Sequence, residues 1–150
     1  FSYGHDIEAS WLLHEAAQVL GDKAVLERVE ERIPSIVAAA TEGFTPDGGM
    51  IYEKCAEEID GDRHWWVQAE AVVGYFNLWE HFGAEEGLEN ALHCWEFIKA
   101  GLVDRENGEW FWSVRTDGTV NRDDDKAGFW KCPYHNGRMC LEIIERTESI

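Results

Sequence analysis

A chain of 150 residues is long enough for one domain with a real core. Thirty acidic against thirteen basic residues give a formal charge of −17, which repels phosphate backbones and makes nucleic acid a poor partner. No apolar run approaches the length of a membrane span, and four irregularly spaced cysteines without a C-x-x-C pair read as reduced thiols, so a cytoplasmic setting is the default. The first residue is Phe1 rather than an initiator methionine, and the stretch reads as cut from a longer chain.

From His5 to Leu20, Ile7, Trp11, Leu12, Ala16 and Val19 recur at helical spacing, and Gly21-Asp22 ends the run. The next pattern, from Ala24 to Ala40, predicts one helix kinked at Pro34, where proline removes the bond to the Glu30 carbonyl. Together these form a helical hairpin. Residues 44–60 are glycine-rich, with a β-like patch at Met50-Ile51-Tyr52. A second hairpin follows, from Trp65 to Phe82 and from Leu88 to Leu102, with Gly83 between its arms. The connection 104–133 carries Trp110 and Trp112 in alternation before Thr116-Asp117-Gly118-Thr119, a β-hairpin signature, and is too aromatic to be disordered. A fifth helix runs from Asn136 to Glu145. The fold class is therefore all-α: a single domain over 1–150, built as an array of helical hairpins, with a small β-hairpin in a long loop.

Eight tryptophans, seven phenylalanines and four tyrosines fit a carbohydrate site, because aromatic faces stack on the C–H faces of sugars; large core aromatics explain them equally well. Their placement is more informative. His5, the Trp65-Trp66 pair and His135 all fall at helix starts, and hairpins stacked side by side would bring them to one rim. His5 and Glu8 share a helical face at i and i+3, although capping and a favourable dipole contact would also account for them. Trp66 and Glu70 share another face, and a carboxylate beside that ring is an awkward core neighbour, which favours a polar cavity. Cys132 and His135 have the spacing of a zinc half-site, but no second half-site matches it; no metal is expected, nor is a His5, His135 and Glu8 set needed as one. Arg122 and Arg138 could each stabilise an anion, yet arginines in charge-rich runs are commonly solvated.

Taken together, the motifs GHDIEASWLLHEAA, WWVQAEAVVGYFN and KAGFWKCPYHNGRM, in this order, resemble the carboxy-terminal part of the N-acylglucosamine 2-epimerase superfamily, and its cellobiose 2-epimerase branch most closely. The resemblance covers nearly the whole chain. It implies an (α/α)6 barrel of which this chain is the C-terminal portion, with substrate-contacting helices preceding residue 1. It also implies epimerisation at C2 of the reducing-end glucose of a β-1,4-linked disaccharide such as cellobiose or lactose, through a cis-enediolate. On this resemblance His5 and His135 are the acid/base pair, Glu8 orients His5 or binds a hydroxyl, Trp66 and Trp130 stack on sugar, and Arg122 steadies the enediolate; Glu70 belongs to the same polar site. No cofactor is implied. N-acylglucosamine 2-epimerases and aldose–ketose isomerases of the superfamily are rivals, as is a fragment that binds carbohydrate without chemistry. Exposed hairpin edges would pair with a second copy or with a missing amino-terminal half.

Overall fold

A computed structural model describes residues 1–148. Helix α1 (Tyr3–Leu20) ends where Gly21 turns left-handed at φ 71°, so that its N–H closes on the Ala17 and Gln18 carbonyls. Asp22 then caps α2 (Lys23–Glu30) by accepting hydrogen bonds from the Ala24 and Val25 amides at 2.9 and 3.2 Å. Here the structure corrects the sequence reading. The predicted kinked helix is two helices, α2 and α3 (Ile33–Thr41), with Pro34 in the first turn of α3. Proline there removes no bond the helix could have made, so it starts α3 instead of bending a longer helix. Helix α2 buries no residue and lies on the surface, whereas α3 packs Ile33, Val37 and Ala40 inward beside α1.

The loop after α3 holds Met50 fully buried, with its amide and carbonyl both bonded at 2.8 Å to the side chain of Gln68. The β-like patch expected at Met50–Tyr52 thus lies just ahead of the strands. These are β1 (Glu53–Cys55) and β2 (Glu58–Asp60), paired antiparallel with Glu53 opposite Asp60. A third strand, β3 (Arg63–His64), leads directly into α4 (Trp65–Phe82).

Helix α4 is the axis of the fold. Every residue from Trp65 to Leu78 is buried, and α1, α3, α5 and α6 all pack on it. A helix apolar on all sides needs such a jacket. Gly83, left-handed at φ 68°, separates α4 from α5 (Glu85–Phe97), which widens into one π turn at Ile98–Leu102 before leaving the helix. Strand β4 (Ser113–Val114) then pairs antiparallel with β3, so the long connection is tied to the start of α4. The turn expected at Thr116–Thr119 is present, with Gly118 N–H on the Arg115 carbonyl and Arg115 N–H on the Thr119 carbonyl, both at 2.8 Å. The expected hairpin closes across it, with Val114 bridged to Val120 and Asn121 N–H on the Ser113 carbonyl at 2.9 Å, while the other edge of β4 pairs with β3. Helix α6 (Tyr134–Thr147) closes the array against α4.

Where α1 crosses α4, Gly74 lets the backbones approach: a Cβ there would stand 2.6 Å from Ile7 Cγ1 and 2.9 Å from its carbonyl oxygen. Gly74→Ala should therefore destabilise by about 1–3 kcal/mol through overpacking, measured as a lower urea midpoint with an unchanged slope. Among the described residues, no helix is long and apolar enough to cross a membrane.

Candidate active site

The starts of α1, α4 and α6 meet around one cavity of about 400 Å³. Trp66 is its hub: the His5 ring lies 4.8 Å from it, the His135 ring 5.4 Å, and Tyr52 approaches edge-on at 6.1 Å. Gly4 makes room for this, since a Cβ at that position would come within 2.6 Å of Trp66 Cη2. Two histidines 130 residues apart thus reach a single indole from different helices.

The two imidazoles differ in their surroundings. His5 is exposed, and its Nδ1 lies 2.7 Å from the Ser2 hydroxyl. His135 is half-buried, with Nδ1 2.7 Å from Glu70 Oε1. Glu70, only 1% exposed, also accepts Trp11 Nε1–H at 3.0 Å and the Arg138 guanidinium at 2.6 Å. Because the indole and the guanidinium can only donate, this carboxylate accepts, which places the His135 proton on Nδ1 and leaves Nε2 open to take another.

Arg138 bridges the carboxylates of Glu70 and Glu8, the latter at 2.7 Å, and its guanidinium lies over the rings of Tyr134 and Trp11. Burial works against its charge, but hydrogen bonds to Glu8 and Glu70 outweigh that and push its pKa up. Glu8 is thus bonded to Arg138 and the Ser2 hydroxyl stands beside His5, so of the two expected roles for Glu8 the orienting of His5 is not the one seen.

The outer wall is aromatic. His64 stacks on Tyr52 at 4.3 Å and 16°, and Trp112 leans on Trp65 at 4.6 Å. Burial pushes the His64 imidazole pKa down despite the pull of Asp60, Asp62, Asp124 and Glu53, so a neutral ring is favoured. Trp130 stands at the rim, 80% exposed, edge-on to Phe129.

Of the residues picked from sequence, His5, Glu8, Trp66, Trp130 and His135 line the cavity, and Glu70 supports it from behind through His135. Arg122 is not brought there. Its guanidinium lies 4.6 Å over the Phe111 ring on the exposed connection, where cation–π attraction holds it, and Arg138 is the arginine at the site. Arg138 sits three residues after His135, on the same helical face, which was the available signal for it. Tyr52, His64 and Trp112 were not singled out from sequence. The donor atoms of Glu8, Glu70 and His135 lie within 4.8 Å of one another, but the Arg138 cation already occupies both carboxylates. Asp60, Asp62 and His64 form a second such group, and neither group contains Cys132, so the C-x-x-H spacing is not assembled into a ligand set among the described residues.

The chain is 65% identical over 145 residues to a cellobiose 2-epimerase of Bacteroides fragilis, covering 95% of this chain and 37% of that protein. It is 47% identical over 150 residues to one from Ruminococcus albus, covering 99% of this chain and 39% of that protein. It superposes on the solved cellobiose 2-epimerase of Spirochaeta thermophila with a TM-score of 0.90 at 38% identity, over 99% of this chain and 38% of that one. The chain thus spans little more than a third of the length of these relatives, and its hairpins are part of an (α/α)6 barrel. Residues 1–137 match the N-acylglucosamine 2-epimerase (GlcNAc 2-epimerase) family, and with the relatives above this means that the chain belongs to that family.

Proposed function

We propose that the protein carrying this chain interconverts glucose and mannose at the reducing end of β-1,4-linked disaccharides such as cellobiose and lactose, with residues 1–150 forming one portion of its barrel domain. The observation that carries this reading is the pair of imidazoles, His5 and His135, flanking the Trp66 ring in one cavity. Epimerisation needs two proton-transferring groups addressing opposite faces of one carbon.

In the ring-opened sugar, one histidine removes the C2 proton while the C1 carbonyl takes up the electron pair, giving a cis-enediolate. The other histidine, protonated, delivers a proton to the opposite face of C2, and ring closure completes the isomer without net change in atoms or electrons. Trp66 serves as the platform for the reacting sugar and Trp130 for its neighbour, while Glu8 offers an acceptor to a hydroxyl. Glu70 holds His135 in the tautomer whose Nε2 can act as base, and Arg138 holds both carboxylates in place.

The test is to incubate the protein with cellobiose in D2O and follow the products by NMR. A mannose-ended disaccharide carrying deuterium at C2 is the expected result. Deuterium at C1 of a ketose alone would assign an aldose–ketose isomerase, and no turnover of any aldose would refute the reading and leave a carbohydrate-binding role.

A further inference from the structure

Outside the cavity, the most unusual group is Lys131. Its side chain is 0% exposed, and its ammonium donates to Glu109 Oε1 at 3.2 Å, the Trp110 carbonyl at 2.9 Å and the Lys126 carbonyl at 2.8 Å. It also lies 5.2 Å over the Trp65 ring. Glu109 Oε1 accepts a second hydrogen bond, at 3.0 Å, from buried Asn136. Glu109 itself adopts φ 62°, a left-handed conformation that costs a non-glycine residue energy and persists only where surrounding contacts impose it.

The register of this network against the site is regular. Lys131 follows Trp130, Asn136 follows His135, and Trp65, which also lines the cavity, precedes Trp66, so three cavity residues each adjoin one member of a single network around the buried ammonium. Adjacent residues on a helix or an extended loop face different ways, which lets one be anchored inside while the other faces the cavity. A buried ammonium with all three protons engaged fixes the loop end from several directions, and one carboxylate links that loop to the first turn of α6.

We propose that Lys131, acting through Glu109 and Asn136, is the positioning residue that sets Trp130 and His135 in register with Trp66. The inference rests on the reading of the cavity as a sugar site for its kinetic consequence, but not for its structural one. A plain loop staple would hold the fold and leave the cavity residues indifferent to its loss.

The experiment uses the protein carrying this chain, labelled with 5-fluorotryptophan, with the Trp130 resonance identified by its disappearance in Trp130→Phe. In Lys131→Met, the Trp130 ¹⁹F signal is expected to narrow and move towards the free indole value, with kcat/KM for cellobiose lowered by about 100-fold in protein still folded at the assay temperature. Asn136→Ala cuts only the link to α6, and should shift the His135 imidazole signals and lower kcat while the Trp130 signal stays in place; it carries the test if Lys131→Met does not fold. An unmoved Trp130 signal in Lys131→Met, or an unmoved His135 in Asn136→Ala, overturns the proposal. If the parent turns over no sugar, the functional reading fails while the spectroscopic arms still decide the positioning role.

Discussion

Replacing His135 with asparagine is expected to lower kcat for cellobiose by about 10²–10⁴-fold, the range that a positioned acid/base supplies, while KM stays within a few-fold. Asparagine retains a polar side chain near Glu70 but offers no nitrogen that can take up a proton at neutral pH. His5→Asn should behave similarly. The two variants are separated by a partial reaction, because in the proposed mechanism each keeps the imidazole serving one face of C2. Each should exchange the C2 hydrogen of one epimer, glucose-ended or mannose-ended, with solvent deuterium and form no other epimer. If neither variant exchanges either sugar, the two histidines do not divide the faces between them. Thermal unfolding of each variant within a few degrees of the parent would show that chemistry, not folding, has been lost.

Loss of the Glu70 carboxylate should have the largest effect on stability. Three donors from two helices converge on it, Trp11 from α1 and His135 and Arg138 from α6, while Glu70 itself stands on α4. Glu70→Ala leaves the Arg138 guanidinium, 17% exposed, with Glu8 as its remaining carboxylate and strands the indole N–H. Breaking one side of such an ion pair costs about 3–5 kcal/mol, a large share of the stability of an ordinary domain, measurable by urea unfolding. Glu70→Ala/Arg138→Met should lose less than the two single changes added together, because the second substitution removes the charge that the first left unpaired. A loss below about 1 kcal/mol in Glu70→Ala would mean that water replaces the carboxylate freely and that the site is wetter than its burial indicates.

The helices were legible because apolar periodicity and glycine stops are local signals, and α1, α4 and α6 begin within two residues of their predicted starts. Pro34 was misread because proline disrupts a helix interior but suits a first turn, and only the intervening break at Glu31–Arg32 decides between the two. The pairing of β3 with β4 was invisible for another reason: its partners are 49 and 51 residues apart, and the strands are too short to carry an alternating pattern. In the site, residues at helix starts could be found by position and motif. For Arg138 the spacing from His135 gave its face of the helix but not its role, because whether an arginine is solvated or paired depends on Glu70, 68 residues earlier, and on Glu8, 130 residues earlier. Arg122 was named on the resemblance, and its guanidinium lies over the Phe111 ring instead.

The short ladder between β3 and β4, with Trp65 N–H on the Trp112 carbonyl at 2.9 Å, divides the long connection into a stem and a tip. The stem fixes Trp112 against the start of α4, so that wall of the cavity is set before the chain reaches residue 115. The tip beyond it is tied back to β4, with Val120 bridged to Val114 and Asn121 N–H on the Ser113 carbonyl at 2.9 Å, before it runs on to Trp130. The exposed turn at Asp117–Gly118 is the part of the tip that can lengthen without disturbing the aromatic wall beneath it.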